Sequence, residues 1–307
     1  MTGVRRRQPS PAVGKYKRAA SRESDMFRLV AASKAVREAV PAELVPVFGL
    51  LTVLGSAKFL MVALSLAYWN DESRRRELLT VVGVAFVAVS VTLALKYWFG
   101  LPRPPAAVRR VAADPSPVGF PSGHAIAATT VYGGTLVALD RYRDPALLAG
   151  AGALVALVGL SRVVIGVHYL GDVLAGVAVG LVMVGIVAVA LDRGPTVVFG
   201  LAVVCAVPAV VLTTAPGDAA LAAGGSVGGL AGSLWRTRAE RFRSGIERAA
   251  VTACGVAFVG AAIAVVETVE PRLVATAVAN AGLVVGIVAL PSLVGRFDGV
   301  GSSTAAD

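Results

Sequence analysis

Long apolar runs recur along most of this chain and limit what it can fold into. Residues 78–95 and 173–191 form two of them, and each is about as long as a bilayer core requires, roughly 17–25 residues per helix. Only 16% of the 307 residues are charged, whereas a soluble domain has about a quarter. Buried parallel strands are also rich in Val and Ala, but too many of these runs exceed the length of a strand. The sequence therefore predicts an all-α polytopic membrane protein.

Hydropathy predicts a helical bundle of about five spans, followed by three to four further spans towards the C-terminus. The weakest is the glycine-rich segment 217–235, which could instead be re-entrant. The candidate spans are 47–69, 78–98, 124–139, 146–164, 167–191, 196–214, 217–235, 249–266 and 272–294.

The predicted division of the chain follows from these spans and from the polar segments around them. Basic and polar residues at the N-terminus predict disorder, and the amphipathic segment after them is typical of an interfacial helix. The predicted parts are a disordered basic tail at 1–26, an amphipathic helix at 27–45, a membrane core at 46–192, a C-terminal transmembrane extension at 193–297 and a disordered tail at 298–307.

The loops between the spans carry arginine unevenly. If the spans alternate in direction, the richer side receives Arg74–Arg76, Arg141, Arg143, Arg193, Arg236, Arg238, Arg241, Arg243, Arg248 and Arg296. The positive-inside rule places this side in the cytoplasm. The net charge of +10 then reflects membrane topology, and no nucleic-acid partner is expected.

The basic N-terminal tail conflicts with the same rule, because an odd number of spans places it outside. Two explanations stay open. Translation could begin at Met26, which would remove seven basic residues, or a helix before residue 47 has been overlooked.

The predicted topology brings both histidines of the chain to one membrane face. His124 begins a span in "FPSGHAIAATT", and His168 precedes another in "SRVVIGVHYLGD". Lys96 ends the span before them, Arg103 follows in the loop, and Arg162 ends the span that returns to this side. Two imidazoles and three cations are therefore expected to converge opposite the arginine-rich loops.

Each of these residues also has an ordinary structural explanation. Lys96 could anchor a span beside interfacial aromatic residues, and Ser122 could be a helix N-cap. His168 and Asp172 are four positions apart and could simply satisfy each other on one helical face. The grouping of all of them at one face favours a functional explanation.

A helix that begins at Ser122 or Gly123 directs unpaired N–H groups towards an anion, and glycine lets the anion approach closely. Lys96, Arg103 and Arg162 add positive charge. The carboxylates between residues 96 and 175 are Asp114, Asp140, Asp144 and Asp172. With two of these on the cytoplasmic side, no cluster is left for Mg²⁺ or Zn²⁺. Phosphate bound without a metal or another cofactor is the expected anion.

The two histidines can divide the chemistry of phosphoryl transfer. His168, oriented by Asp172, is the candidate nucleophile and would form a phosphohistidine. His124 is the candidate general acid for the leaving oxygen. Water would then release phosphate from His168.

Three stretches, "KYWFGLPRP", "PSGH" and "SRVVIGVHYLGD", resemble the signature motifs of the type 2 phosphatidic acid phosphatase superfamily in order and spacing. The resemblance covers about residues 47–192 and implies an integral-membrane lipid phosphatase core. In that family the second motif histidine is the nucleophile and the first is the acid, which corresponds to His168 and His124. The phosphate-binding positions implied by the resemblance are Lys96, Arg103, Ser122, Gly123 and Arg162.

The sequence thus predicts a metal-independent phosphatase of the cell membrane that hydrolyses lipid phosphate monoesters or diphosphates, phosphatidate-like or polyprenyl, at the extracytoplasmic face. A lipid phosphotransferase with an alcohol acceptor would use the same site and stays open. So does an inactive member of the family. A transporter would instead spread its charges through the depth of the bilayer. No oligomeric state is implied.

Overall fold

The computed structural model describes residues 25–111, 116–235, 244–268 and 273–301. Within these ranges the regular structure is helical apart from one isolated bridge between Pro102 and Val118, so the predicted all-α class is confirmed. Most of both predicted tails, together with Asp114 and the arginines between 236 and 243, lies outside the described residues.

The helices, in chain order, are α1 Val30–Ala39, α2 Val45–Leu51, α3 Ala57–Asn70, α4 Arg75–Phe99, α5 Gly123–Ala128, α6 Gly134–Ala138, α7 Pro145–Val164, α8 Leu170–Arg193, α9 Pro195–Leu212, α10 Pro216–Trp235, α11 Gly245–Thr268 and α12 Leu273–Gly301. A π-helical turn, Thr129–Gly133, joins α5 to α6. Short 3₁₀ turns lie at Ala42–Leu44, Thr52–Gly55, Glu72–Arg74 and Ala106–Val108.

Six stretches of the described chain are long and apolar enough to cross a membrane. They are Glu72–Phe99, Pro145–Val164, Leu170–Arg193, Pro195–Leu212, Gly245–Val265 and Leu273–Leu293. Each corresponds to a predicted span, and together they confirm a multi-pass membrane protein. The glycine-rich α10 is a continuous helix, so the re-entrant alternative for this segment is wrong.

The predicted first span at 47–69 is wrong as a single helix. The chain breaks at Ser56, whose backbone is extended and whose hydroxyl accepts the N–H of Phe59 at 3.3 Å, so that α3 starts only at Ala57. The break has a packing cause. Gly55 lies directly against the Val158 side chain and the backbone of His124, which leaves no room there for a side chain.

The N-terminal segment before α3 stays at one end of the bundle. Helix α1 and the stretch Ala42–Gly55 meet at 94°, and both contact the end where α7 stops and α8 begins. The Leu170 N–H donates to Ser33 Oγ at 2.7 Å, and Arg162 donates to Thr52 at 2.9 Å. Helix α1 lies within the predicted amphipathic segment 27–45. By length and composition, α1 and Ala42–Gly55 together also fit one broken span or a re-entrant loop.

Helices α9 and α10 of the C-terminal extension pack against α4, the helix that carries Lys96. Phe86 of α4 and Phe199 of α9 lie against Gly225 and Gly229 of α10, positions where a Cβ would collide with the rings. On its next face α10 meets the backbone of α12 through Gly224 and Gly228. This packing fixes the depth of α4 and hence of Lys96.

Candidate active site

Lys96 lies in the last turn of α4, which ends in a left-handed glycine. Gly100 has a φ of 60° and its N–H donates to the Lys96 carbonyl at 2.9 Å, which is the usual way for a helix to end. Lys96 is buried, and a Cβ built on Gly123 would lie 3.9 Å from its Nζ and 3.2 Å from the Thr92 methyl group. The structure therefore places the Lys96 ammonium beside the backbone of Gly123.

Arg103 is held by the loop that follows α4. Its Nε donates to the Ser116 carbonyl at 2.8 Å, and its Nη1 donates to the Val167 carbonyl at 3.3 Å. The same Nη1 lies 3.4 Å from Nε2 of His168. Gly119 allows this arrangement, because a Cβ there would be 3.0 Å from the Arg103 Cα. The buried guanidinium thus faces the histidine ring.

Ser122 is at the N-cap position of α5, but its hydroxyl makes no capping bond. Its N–H donates to the Asp172 carbonyl at 3.0 Å. Ser122 is 0% exposed, and its Oγ finds no hydrogen-bond partner among the described residues. The simple N-cap explanation is therefore wrong. A buried hydroxyl in this condition is uncommon in native structures and suits a ligand oxygen.

His124 follows directly at the start of α5 and is half-buried. Gly55 packs over its backbone and its Cβ. On its other side α5 is closed by Gly176 of α8, where a Cβ would lie 2.7 Å from the Ser122 carbonyl oxygen. The small residues of both neighbours let α5, with His124 in its first turn, pack closely between them.

Arg162 and His168 are joined through the backbone at the end of α7. The Arg162 carbonyl accepts the N–H groups of Val167 and His168, both at 3.2 Å. Gly166, with a φ of 78°, makes the turn that permits these bonds. The Arg162 guanidinium is buried and donates through Nη1 to the Thr52 hydroxyl. The last turn of α7 therefore delivers a cation and positions the candidate nucleophile.

His168 and Asp172 do not share a helical face, contrary to the prediction from their spacing. Helix α8 begins at Leu170, so His168 belongs to the preceding turn and Asp172 to the first turn of the helix. The Asp172 Oδ2 accepts the Tyr169 N–H at 2.9 Å and lies 3.5 Å from Nδ1 of His168. This separation is an ion-pair distance and is longer than a standard hydrogen bond.

The position of Arg103 favours one tautomer of His168. A guanidinium has only donors, so the ring nitrogen that faces it, Nε2, is best placed as an acceptor. The proton then resides on Nδ1, on the side of the Asp172 carboxylate. Nε2 consequently carries the lone pair that a nucleophile needs.

Residues 77–194 match the family model described as PAP2 superfamily. Over this segment the chain is similar to the PAP2 superfamily. The resemblance that the three motifs indicated is thereby confirmed, and the segment holds every predicted site residue from Lys96 to Asp172. The matched PAP2 segment is shorter than the predicted 47–192, because α3 and the chain before it lie outside.

Two relatives are similar to part of the chain. Mouse sphingosine-1-phosphate phosphatase 2 is 32% identical over 145 residues, which are 45% of this chain and 40% of that protein. The decaprenylphosphoryl-5-phosphoribose phosphatase of Mycobacterium tuberculosis is 35% identical over 122 residues, 37% of this chain and 61% of the relative. The chain thus spans less than two thirds of either relative.

A solved structure to which the chain shows similarity is that of a transmembrane PAP2 type phosphatidylglycerolphosphate phosphatase from Bacillus subtilis. It is 28% identical, with a TM-score of 0.48, and covers 57% of this chain and 87% of its own.

Among the described residues, no group of three or more His, Cys, Asp or Glu side chains lies close enough together to hold a metal ion. Asp172 supplies a carboxylate to the candidate site, and this carboxylate already accepts two hydrogen bonds from Arg28. A site without metal or other cofactor stays a prediction, which removal of divalent ions can test.

Two residues that contact the site escaped the sequence analysis, and both lie outside the PAP2 segment. Arg28 donates from Nε and Nη2 to the two carboxylate oxygens of Asp172, at 2.7 and 2.9 Å. Thr52 accepts from Arg162. Neither stands in a motif. The sequence held only an indirect indication of such a partner. The Asp172 carboxylate, if buried, needs a cation nearby, and the three predicted cations were already assigned to phosphate.

Tyr169 lies beneath Arg28, with the guanidinium carbon 4.6 Å from the centre of its ring. Burial raises the pKa of the Tyr169 phenol, although the charge of Arg28 acts in the opposite direction. The phenol therefore stays neutral, and the charge of Arg28 is compensated by Asp172 alone in this contact.

Proposed function

We propose that the protein is a membrane phosphatase that hydrolyses lipid phosphate monoesters or diphosphates, through a phosphohistidine on His168 and without a metal ion. The observation that carries the proposal is the buried Ser122 hydroxyl, which has no partner among the described residues and precedes Gly123, whose backbone lies beside the Lys96 ammonium. Both curated relatives are lipid phosphatases by name.

The charge balance of the site supports a phosphate ligand. Arg28 and Asp172 form an ion pair, while Lys96, Arg103 and Arg162 add three positive charges that would attract an anion. These three side chains are 9%, 5% and 4% exposed. Charge-assisted bonds in such a water-poor site are strong, and they stabilise the charge that develops on phosphorus-bound oxygens during transfer.

In the first step Nε2 of His168 attacks phosphorus. A P–N bond forms, the P–O bond to the lipid breaks, and the electron pair of that bond goes to the leaving oxygen. His124 donates a proton to this oxygen. The Nδ1 proton of His168 faces Asp172, which stabilises the positive charge that the ring acquires.

In the second step a water molecule attacks the phosphohistidine. His124, now neutral, accepts a proton from the water. The P–N bond breaks, its electron pair returns to Nε2, and phosphate leaves. Both steps use the same side chains, so positioning and electrostatics are the whole contribution that the protein has to make.

An extracytoplasmic site and a location in the cell membrane are part of the proposal. The site lies at the ends of α4 and α7 that are remote from the arginines at positions 74–76, 141 and 143. By the positive-inside rule those arginines face the cytoplasm. A site at the opposite membrane surface suits an amphiphilic substrate whose headgroup enters while its chains stay in the bilayer.

The decisive test is phosphate release by the purified full chain from phosphatidate and from a polyprenyl diphosphate, with EDTA present. The His168→Ala variant is the matched control for phosphate from contaminating enzymes. Release from neither lipid, or equal release by the control, would overturn the proposal. In sealed right-side-out vesicles phosphate should appear outside; release only after permeabilisation would contradict the extracytoplasmic face.

The same phosphohistidine could pass its phosphoryl group to an alcohol. An assay with added glycerol separates this lipid phosphotransferase from a hydrolase, because a transferase yields a phosphorylated acceptor at the expense of free phosphate.

A further inference from the structure

Arg28 contacts the site from outside the PAP2 segment and is almost fully buried, at 3% exposure. Its Nε and Nη2 grip the two oxygens of Asp172, while Nη1 donates to the Pro102 carbonyl at 2.9 Å. All three nitrogens of the guanidinium are thus engaged. Such a bidentate pair fixes the plane of the carboxylate as well as its charge.

The two oxygens of Asp172 have different surroundings. Oδ1 accepts from Arg28 Nε. Oδ2 accepts from Arg28 Nη2 and from the Tyr169 N–H, and is also the oxygen 3.5 Å from Nδ1 of His168. The arginine therefore bonds the same oxygen that faces the candidate nucleophile. The two hydrogen bonds from Arg28 to Asp172, at 2.7 and 2.9 Å, are shorter than the 3.5 Å separation between Oδ2 and Nδ1 of His168. The arginine therefore determines where Oδ2 lies.

The backbone around Arg28 is docked as firmly as its side chain. Residues 25–40, here called the N-terminal strap, lie on the first turn of α8. The Gly171 N–H donates to the Arg28 carbonyl at 3.0 Å, and a Cβ on Gly171 would lie 2.5 Å from the Arg28 Cα. Leu29 has a φ of 55°, a conformation that is rare outside glycine and persists where surrounding contacts impose it.

The far end of the strap is held by the loop after α4. Arg110 donates to the carbonyls of Arg37 and Val40, at 2.7 and 3.2 Å. At the near end the ring of Phe27 packs edge-to-face on Phe120, two residues before Ser122. The strap is thus tied to the loops that carry Arg103 and Ser122 as well as to α8.

We infer that Arg28 is a positioning residue for the proposed hydrolysis: by gripping Asp172 it orients the carboxylate that orients His168, and the N-terminal strap is a part of the active site. The inference rests on the proposed function. Because Arg28 acts through Asp172 and not on phosphate, its loss should lower kcat and leave KM nearly unchanged. Loss of a phosphate-binding cation should change both.

The experiment measures kcat and KM of phosphate release by the full chain, on whichever of phosphatidate and polyprenyl diphosphate the wild type hydrolyses. Arg28→Ala should lower kcat about 10- to 100-fold, which is the loss seen when a hydrogen-bond partner that orients a metal-binding side chain is removed. KM should stay within about threefold of the wild-type value. Arg28→Lys keeps the charge but loses the fork, and should recover part of kcat. Arg76→Ala, which removes an exposed arginine at the opposite end of α4, should behave like wild type.

A second variant displaces the strap without changing a charge. Gly171→Ala introduces a methyl group where the Arg28 backbone lies and should lower kcat as Arg28→Ala does. In the double variant the losses should not add, because both changes break the same contact. Gly185→Ala on the same helix, with nothing within 4 Å of the new methyl group, is its control.

The results for these variants distinguish a failure of the inference about Arg28 from a failure of the proposed function. A wild-type kcat in Arg28→Ala would overturn the inference and leave the proposed function intact. Additive losses in the double variant, or a raised KM with unchanged kcat, would also overturn it. If Arg28→Ala does not fold, Arg28→Lys carries the test, and an unchanged kcat there has the same meaning. No phosphate release by the wild type would refute the proposed function and this inference with it.

Discussion

The Nη1 atom of Arg103 lies 3.4 Å from the Nε2 atom of His168. This contact points the donor face of a cation at the nitrogen that is proposed to attack phosphorus, so the same guanidinium can bind a phosphate oxygen and keep Nε2 unprotonated. Arg103→Lys should therefore lower kcat/KM by about 10- to 100-fold, the loss of one or two charge-assisted hydrogen bonds. Steady-state phosphate release checks this, and a value within twofold of wild type would contradict it.

The role of His124 as general acid predicts a dependence on the leaving group. His124→Ala should lose far more activity on a lipid phosphate, whose alkoxide needs a proton, than on p-nitrophenyl phosphate, whose phenolate leaves without one. His168→Ala should lose activity on both substrates. Comparing kcat/KM of the two variants on the two substrates is the measurement, and equal losses for His124→Ala would argue against an acid.

The phosphohistidine should be detectable directly. Acid-free quenching of the wild-type chain with ³²P-labelled substrate should leave label on the protein that survives alkali and is lost in acid, as a P–N bond requires. His168→Ala should carry no label. Label that resists acid, or label retained by the variant, would place the covalent step on another residue.

Removal of divalent ions should leave the activity unchanged. The carboxylate in the site is committed to Arg28, and cationic side chains stand where a metal would otherwise neutralise phosphate. Phosphate release in EDTA should therefore stay within about twofold of release in buffer, because the part of the chain that the structure describes holds no cluster of His, Cys, Asp or Glu that could lose an ion. An EDTA loss that Mg²⁺ restores would contradict this charge arrangement.

Close packing between α5 and α8 should be sensitive to one methyl group. A Cβ on Gly176 would lie 2.7 Å from the Ser122 carbonyl oxygen and 2.9 Å from the Ala125 Cβ. Gly176→Ala should lower the free energy of unfolding by about 1–3 kcal/mol through overpacking and should disturb Ser122. Thermal unfolding in detergent measures the effect, with Gly185→Ala as the control. Equal unfolding temperatures for the two variants would contradict the prediction and show that α5 can shift to accommodate the methyl group.

The residues that the sequence predicts correctly share one property: their place depends on the membrane. A span has to cross the bilayer, so the spacing between Lys96, His124 and His168 assigns each to an end of a helix. The structure places Lys96 beside Gly123 and His168 beside Arg103 accordingly.

Arg28 could not be predicted in this way, because hydropathy says which segments cross and nothing about where a polar segment folds back. The break at Ser56 escaped for a related reason. Averaged hydropathy is continuous through residues 47–69, whereas the break follows from the contact of Gly55 with Val158 and His124. These two residues lie about 100 and 70 positions further along the chain, so no local sequence pattern reports the contact.

The nesting of Phe86 against Gly225 has a consequence for how this chain can be dissected. In the 18-residue apolar stretch of the α4 span, 67% is buried inside the protein. Helices α9 and α10 cover much of this surface. A fragment truncated after Gly194 would keep every motif residue yet expose the Phe86 side of the Lys96 helix to lipid. Helices α9 and α10 therefore support the helix that carries Lys96, and the minimal active fragment is expected to extend well beyond the motifs.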